Sequence, residues 1–348
     1  MLALITRDIG IDLGTSNSLM HVRGKGIVLS EPSIVAVDEQ ARAIIAVGSE
    51  AQKMMGRTPK NVSVIRPMRG GVISDYDLTE RMLHYYMRRV LGRFSLSRPH
   101  VVVSVPSGVT EVERRSVVEA LLDAGAGDVR LILEPVAAAL GSGLDIGRPG
   151  GAVVVDIGGG TTDIALLSMN TPVLIESIRI AGERVDEAIV RYMRRRYNIL
   201  IGERTAELVK MQIGMVSPEP PLGAMDVTGR NLIDGLPKTV HVSAKEISEA
   251  LEEPAAQIVE AIHSVLERTP PELSSDIHRR GIILTGGGAL LTGLPRRVLT
   301  AIKVPCTVAD RPMECVALGI GRAMENSGDY GDLIQGYRKP VRYDFKRL

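Results

Sequence analysis

A strand–turn–strand pattern occurs twice in this chain of 348 residues, once in each half. Residues 12–16 read Asp-Leu-Gly-Thr-Ser after a short apolar run, and residues 156–162 read Asp-Ile-Gly-Gly-Gly-Thr-Thr after another. Both copies place an acid shortly before a glycine turn that carries hydroxyl side chains. A duplicated unit of this kind predicts two similar α/β lobes that face each other across a cleft.

Short apolar runs alternate with helical patterns along almost the whole chain, which also indicates an α/β architecture. The spacing predicts a helix over residues 77–91, and Thr110 and Glu113 form the capping-box pattern of a second helix. The glycine- and proline-rich stretch 147–151 predicts a hinge between the two halves. Two short strand patterns within residues 226–243 predict a small inserted subdomain.

Composition excludes several classes of function. The formal net charge is +1 and aromatic residues make up 3% of the chain, so neither a basic field nor stacking platforms favour a nucleic-acid partner. No apolar run approaches the roughly 18 residues that span a bilayer, and the apolar N-terminus is too short for a signal peptide. We therefore expect a cytoplasmic protein, with Cys306 and Cys315 as reduced thiols.

The two glycine turns are candidate phosphate-binding loops, because glycine lets backbone N–H groups point at a phosphate and approach it closely. Hydroxyl side chains in both turns add further donors. One glycine-rich turn often does nothing but turn the chain, whereas two matched copies favour a shared ligand. The candidate nucleotide-binding residues of the two turns are Gly14, Thr15, Ser16, Asn17, Gly158, Gly159, Gly160 and Thr161.

Three carboxylates stand next to these turns or at a strand end. Asp12 and Asp156 would hold a hydrated Mg²⁺ through water from opposite sides of the cleft, or each would bond only to its own turn. Glu134, before Pro135, is a candidate for orienting a water that attacks a phosphate; from the residues alone, a solvated loop acid is the better interpretation. Asp163 lies in the following strand and is assigned a structural role.

Two other segments are candidates for the ribose and base of a nucleotide. Glu203, Glu207 and Lys210 are spaced i, i+4, i+7 on a predicted helix, and they form either a surface salt-bridge stripe or the polar edge of a sugar site. Following a short strand, a cluster of three glycines is either a helix-opening turn or a flat surface for a base. These glycines are Gly286, Gly287 and Gly288.

In this order, the segments resemble the superfamily of actin, sugar kinases and heat-shock chaperone ATPases. The resemblance is closer to the MreB family, the filament-forming bacterial actins, over roughly residues 7–325. Besides the two glycine turns, it rests on segments spread over the whole chain. They are residues 24–26 (Gly-Lys-Gly), 31–33 (Glu-Pro-Ser), 65–68 (Ile-Arg-Pro-Met), 112–115 (Val-Glu-Arg-Arg), 134–135 (Glu-Pro), 202–207 (Gly-Glu-Arg-Thr-Ala-Glu) and 284–288 (Leu-Thr-Gly-Gly-Gly).

The resemblance implies an actin-like, duplicated ribonuclease-H-like fold of two lobes, with four subdomains around a nucleotide cleft. ATP and Mg²⁺ are the implied cofactors. Asp12, Asp156, Thr161 and Glu134 would serve a slow hydrolysis coupled to polymerisation. The implied subdomains are 1–31, 67–149 and 322–348 (IA), 32–66 (IB), 150–183 and 242–321 (IIA) and 184–241 (IIB).

The resemblance also implies partners. The family forms head-to-tail filaments, usually paired antiparallel, binds the inner membrane face and works with membrane-spanning elongation-complex proteins to organise cell-wall synthesis. Phe94 and Leu96 would insert into the lipid, or Phe94 would tuck under its loop. The basic tail 328–348 has no clear family counterpart.

One departure from the family pattern leaves a second interpretation of the function open. Leu133 stands where the family usually has an acid before the catalytic glutamate, so a non-polymerising actin-fold ATPase or nucleotide-binding switch remains the alternative. A metabolic kinase would need a sugar pocket, and a chaperone would need a following peptide-binding domain.

Overall fold

Two mixed β-sheets of the same design form the frame of the protein. The computed structural model describes residues 8–92, 98–217 and 222–336. The strands of the described chain are β1 (Asp8–Leu13), β2 (Asn17–Val22), β3 (Gly26–Pro32), β4 (Val35–Asp38), β5 (Ala43–Val47), β6 (Val62–Ile65), β7 (Met68–Arg69), β8 (Val72–Ile73), β9 (His100–Val105), β10 (Asp128–Leu133), β11 (Ala152–Ile157), β12 (Thr162–Ser168), β13 (Thr171–Ile178), β14 (Ile199–Leu200), β15 (Ala224–Asn231), β16 (Pro237–Ser243), β17 (Ile282–Thr285), β18 (Cys306–Val308) and β19 (Gln335–Gly336).

Helices follow or join these strands. They are α1 (Ser49–Met54), α2 (Tyr76–Leu91), α3 (Glu111–Asp123), α4 (Glu134–Ser142), α5 (Gly182–Tyr197), α6 (Glu203–Ile213), α7 (Ala244–Glu267), α8 (Pro271–Arg280), α9 (Leu294–Ile302), α10 (Cys315–Glu325) and α11 (Ser327–Tyr330). The predicted capping box of α3 is confirmed, since Thr110 and Glu113 bond reciprocally. The predicted start of α2 at residue 77 is wrong, because Asp75 caps the helix by accepting from the N–H of Leu78 at 3.0 Å.

The duplication inferred from the two glycine turns is visible in the sheets. The first sheet has the order β19-β10-β9-β1-β2-β3 and the second has the order β13-β12-β11-β17-β18. In each sheet three antiparallel strands are extended by two parallel ones, from β1 to β9 and β10 in the first and from β11 to β17 and β18 in the second. Each glycine turn joins the first two strands of its sheet.

Helices α4 and α10 pack against each other between the two sheets. A side chain on Gly141 of α4 would collide with the backbone of Cys315, and one on Gly319 of α10 would collide with the backbone of Ala137. Backbones approach this closely only where a side chain is missing. Ile320 of α10 also packs against Gly10 of β1. A buried cluster around the two helices takes residues from both sheets, so the two halves share one inner core.

Two smaller sheets are inserted at the outer ends of the halves. Strands β5-β4-β6 form one of them, and β14-β15-β16 form the other. The predicted strand patterns within 226–243 thus correspond to β15 and β16. The two strands form a hairpin whose residue pairs run from Ala224 opposite Ser243 to Arg230 opposite Pro237. The segment 218–221 between α6 and β15 lies outside the described residues.

Glu31, near the end of β3, ties the first small sheet to α2. Its carboxylate accepts hydrogen bonds from the N–H and the hydroxyl of Ser49 at 2.8 and 2.5 Å, at the N-terminus of α1. It also pairs with Arg89 of α2 at 2.5 Å. Desolvation raises the pKa of Glu31, but these hydrogen bonds and the Arg89 charge outweigh it and hold the pKa below its ordinary value.

We predict that Glu31→Gln lowers the free energy of unfolding by about 1–3 kcal/mol at neutral pH, because it removes charge-assisted hydrogen bonds. A lowered folded-state pKa stabilises the fold above the unfolded pKa, and that stability is lost as pH falls through the folded pKa. The difference between wild type and variant should therefore shrink below the ordinary value of 4.5. Urea denaturation at neutral pH and at a pH below this value measures the difference in the free energy of unfolding. Glu272→Gln, an exposed glutamate of α8, is the control, and an equal gap at both pH values would contradict the prediction.

Candidate functional site

The two glycine turns meet face to face between the halves of the molecule. A side chain on Gly159 of the second turn would collide with Ser16 of the first, and a Cβ on Gly160 would lie 2.5 Å from the hydroxyl of Thr15. The structure thus brings together the candidate phosphate-binding residues of both turns, 14–17 and 158–161. The backbone N–H groups and hydroxyl groups of the two turns are therefore near neighbours in space.

A hairpin that the sequence analysis did not single out lies across both turns. It consists of β7 and β8, joined by Gly70 and Gly71 with φ of +54° and +78°. The N–H of Gly71 donates to the Thr15 hydroxyl at 2.9 Å, and the backbone of Gly70 bonds to the carboxylate of Glu183 in α5. The signal in the sequence was the pair Gly70 and Gly71, which lies just beyond the segment 65–68 that carries the family resemblance.

Asp12 and Asp156 lie at the ends of the equivalent strands β1 and β11. The Ser104 hydroxyl donates to Asp12 at 3.3 Å, and the Thr285 hydroxyl donates to Asp156 at 2.7 Å. Burial raises the pKa of each carboxyl to about 7, and these hydrogen bonds only partly oppose the shift. For Asp156 the nearby charges of Asp12 and Asp163 add to the rise. Asp12 is therefore close enough to Asp156 to disfavour the ionised form of Asp156.

Glu134 is the first residue of α4 and is only 8% exposed, so it is not a solvated loop acid. Leu133, at the N-cap position before it, has an extended backbone, and α4 continues directly from β10. Burial, followed by the charges of Asp163, Asp12 and Asp156, raises the pKa of Glu134 well above its ordinary value. Glu134 thus shares its surroundings with both aspartates.

Asp163 is fully buried and accepts a hydrogen bond from the N–H of Ser107 at 2.7 Å. Since Ser107 follows β9 of the first sheet and Asp163 belongs to β12 of the second, this bond connects the two halves. Burial raises the pKa of Asp163 as well. The structural role assigned from the sequence agrees with this contact, and the acid also contributes to the field around Glu134.

Three buried carboxyl groups, Glu134, Asp156 and Asp163, and the partly exposed Asp12 lie near one another and suit a divalent cation. Ionised carboxylates out of water need a compensating charge, and Mg²⁺ takes hard oxygen ligands while it keeps several waters. Within residues 8–92, 98–217 and 222–336, no three His, Cys, Asp or Glu side chains are arranged to ligate a metal directly. Asp12 and Asp156, which belong to the first and the second sheet, are the side chains that could hold such an ion through water.

The polar face of α6 points toward α5 and toward the first half of the chain. Lys210 bonds to Asp186 of α5 at 3.0 Å, and Glu207 contributes to the field at the same aspartate. Glu203 pairs with Arg66, which follows β6, at 3.6 Å. The three predicted residues therefore contact or lie near α5 and the segment after β6. Asp186 and Arg66 were missed, because neither stands at helical spacing from them.

The glycine cluster 286–288 lies against the end of β11. Gly286 adopts a φ of +79°, and a side chain on Gly286 or Gly288 would collide with Ile157. Met215, just after α6, forms a β-bridge with Thr292, just after the cluster. The two segments predicted to contact a ribose and a base are therefore neighbours, on the same side of the second glycine turn.

The sequence analysis also made predictions about the membrane. Phe94 and Leu96 lie outside the described residues, as does the tail from residue 337. Among the helices that the structure describes, none combines the length and the apolar character required to cross a bilayer.

Comparison with known proteins shows which family the chain matches. Residues 6–331 match the family described as MreB/Mbl protein. The chain is 49% identical to the cell shape-determining protein Mbl of Bacillus cereus, covering 93% of this chain and 97% of that protein. It is 48% identical to the cell shape-determining protein MreB of Escherichia coli, covering 92% and 94%.

Solved structures show the same fold. The crystal structure of MreB5 of Spiroplasma citri bound to AMPPNP superposes with a TM-score of 0.88 at 35% identity, covering 94% of this chain and 98% of that one. The MamK double helical filament matches with a TM-score of 0.80 at 22% identity, covering 92% and 99%, and shows the fold alone. The protein is thus an actin-fold protein with a cleft between two related lobes. The chain belongs to the MreB/Mbl family.

We predict that Gly160→Ala weakens ATP binding by about tenfold or more. The new Cβ would lie 2.5 Å from the Thr15 hydroxyl and 2.6 Å from the N–H of Gly71, so the two turns and the hairpin must separate. Equilibrium binding of a fluorescent ATP analogue measures the change. Gly328→Ala, whose Cβ would have no atom within 4 Å, is the matched control. Unchanged affinity in Gly160→Ala would show that the turns do not form the phosphate site.

Proposed function

We propose that the protein binds Mg-ATP in this cleft, hydrolyses it slowly and couples nucleotide state to the assembly of filaments that determine cell shape. The observation that carries the proposal is the meeting of two glycine turns with Asp12, Asp156 and Glu134 in one cleft. MreB5 of Spiroplasma citri, which shares the fold, has been crystallised with AMPPNP and with ADP.

In the proposed mechanism, the backbone N–H groups of residues 14–17 and 158–161 hold the phosphates. Asp12 and Asp156 would hold a bound Mg²⁺ through its waters, and the ion would offset the negative charge of the phosphates. Glu207 and Lys210 would bind near the ribose with Glu203 beside them, and the glycine cluster 286–288 would lie near the base. Support for these roles comes from the family resemblance and from the contacts described above.

Glu134 would orient the attacking water, and Thr161 would bind near the terminal phosphate. Burial and three neighbouring carboxylates favour the neutral form of Glu134, as its raised pKa shows. A cation bound between Asp12 and Asp156 would counter that effect, which would make Glu134 a competent acceptor of a proton or hydrogen bond only when the cleft is loaded. Leu133 replaces the acid that usually precedes this glutamate, which favours slow turnover.

We predict that Glu134→Gln lowers the rate of ATP hydrolysis by about 10²–10⁴-fold and leaves the affinity for ATP within about twofold. Glutamine keeps the size of the side chain but cannot accept a proton. Phosphate release under single-turnover conditions measures the first quantity, and equilibrium binding measures the second. Glu111→Gln, an exposed glutamate of α3, is the control. A normal hydrolysis rate in Glu134→Gln would remove Glu134 from the mechanism.

The filament is proposed to grow head to tail, because a heterologous contact that does not close into a ring produces an open polymer. Paired antiparallel filaments are part of the same proposal. ATP would favour one arrangement of the two lobes, and that arrangement would favour the contact surfaces. Subdomains near the boundaries expected from the sequence would be the moving parts. Four of those boundaries, 31/32, 183/184, 241/242 and 321/322, fall inside β3, α5, β16 and α10.

At the cell level, the proposal places the filaments at the inner face of the cell membrane, where they organise cell-wall synthesis with membrane-spanning elongation-complex proteins. The support is family membership, since relatives at 48–49% identity are cell shape-determining proteins. Phe94, one of two Phe in the chain, and Leu96 are the proposed lipid contacts, with Arg93 and Arg98 beside them.

We predict that the wild type forms filaments with Mg-ATP and sediments with vesicles that contain phosphatidylglycerol. Phe94→Ala/Leu96→Ala should lose most vesicle binding and keep nucleotide binding, because apolar insertion supplies the membrane affinity. Val28→Ala/Ile45→Ala removes two exposed apolar side chains elsewhere and is the control, at 43% and 49% exposure. Co-sedimentation and electron microscopy measure the two properties.

The outcomes separate the competing functions. Vesicle binding that survives in Phe94→Ala/Leu96→Ala would reject the proposed lipid contacts alone. Tight ATP binding without filaments under any condition would reject the cytoskeletal function and favour the nucleotide-binding switch.

A further inference from the structure

A cavity of about 740 Å³ lies outside the nucleotide cleft, between α5, α7 and the end of β13. Small-molecule sites in proteins have volumes of roughly 300–1,000 Å³. The distinctive feature of this cavity is that arginines dominate its lining. They are Arg179, Arg184, Arg191, Arg194 and Arg195.

The arginines converge because of helical spacing. Arg184, Arg191 and Arg195 stand at i, i+7 and i+11 of α5 and therefore share one face, and Arg194 lies next to them. The opposite face of α5 is anchored in the core by Val185, Ile189 and Met193. Arg179, just after β13, completes the cluster from the other end.

Nearby carboxylates compensate only part of this charge. Glu187 bonds to Arg184 at 2.8 Å and lies 3.7 Å from Arg191, and Arg179 pairs with Glu113 of α3 at 3.1 Å. In the part of the chain that the structure describes, Arg194 and Arg195 have no ion-pair partner. Glu253 is the single acid among the lining residues.

We propose that this cavity is a binding site for a small polyanion that carries two or more phosphate groups. The guanidinium group presents a planar fork of donors that matches a phosphate bidentately, and several forks around a concave space select for multiple charge. The lining contains no aromatic side chain, so the phosphates and not a stacked base determine recognition. A concave site of this volume suits a compact ligand.

The site is separate from the nucleotide cleft but physically connected to it. None of its lining residues belongs to the glycine turns or to the acid cluster. In space, however, helix α5 begins beside the second glycine turn. The N–H of Gly182 donates to the carbonyl oxygen of Gly158 at 3.1 Å, and the N–H of Glu183 donates to the carbonyl oxygen of Gly159 at 2.8 Å. A ligand on the arginine face of α5 would therefore sit on the helix that supports the phosphate-binding turn.

The test uses inorganic tripolyphosphate and isothermal titration calorimetry, with excess Mg²⁺ and ADP present to occupy the cleft. We expect saturable binding to the full-length protein, weakened about tenfold or more in Arg194→Ala/Arg195→Ala. Arg196→Ala is the matched control, because Arg196 is exposed in the same helical turn but does not line the cavity, and its affinity should stay within about twofold. Circular dichroism checks that each variant folds.

Vesicles of phosphatidylcholine with cardiolipin distinguish a lipid headgroup from a free phosphate compound. Vesicle binding that depends on Arg194 and Arg195 but not on Arg196 would support the site with a headgroup as the source, and cavity-dependent binding of tripolyphosphate alone would support it with a soluble ligand. Two results would overturn the proposal. One is the absence of cavity-dependent binding to either probe, and the other is binding of tripolyphosphate that occurs only when ADP is left out and that the Arg194→Ala/Arg195→Ala substitutions leave unchanged.

Discussion

The close packing of α4 on α10 is the contact on which the other parts of the structure depend. It exists because Gly141 and Gly319 let two backbones approach where any side chain would collide. Helix α4 carries Glu134 at its first residue, and α10 presses Ile320 onto β1, which carries Asp12. The same pair of helices fills the space between the two sheets, so their fit sets the distance between the two walls of the cleft. Any change in the relation of the lobes has to be accommodated at this contact.

Four carboxyl groups lie near one another in the protein, and ionising them away from water costs free energy. Burial raises the pKa values of Asp12, Asp156, Asp163 and Glu134 together. Such a cluster binds a cation more strongly than an exposed pair would, because a cation compensates charges that water cannot reach. Contacts between the lobes surround this cluster, from Ser107 to Asp163, from Gly70 to Glu183 and from Arg66 to Glu203. The proposed nucleotide binding and the arrangement of the lobes would therefore act on neighbouring groups.

Much of the site was accessible from local sequence because its signals are short. Each glycine turn and its acid lie within a few residues, and the capping box of α3 spans four. The failures have physical reasons. Helix α2 begins one residue earlier than predicted because Asp75 caps it, and a cap depends on the backbone geometry at the helix start. Asp186 and Arg66 were missed because they meet the face of α6 only after α5 and β6 are in place.

The sequence by itself determined the duplicated α/β plan, the family and the identity of the two glycine turns with their acids. Those features depend on the spacing of residues within short segments. The period of strands and the residue preferences of turns make such segments recognisable in a sequence. Only the tertiary structure decided that Glu134 is buried among three other acids, that the Gly70–Gly71 hairpin crosses both turns and that five arginines line one cavity. The reason is that burial, pKa and enclosure depend on which distant segments pack together, and no local pattern encodes those pairings.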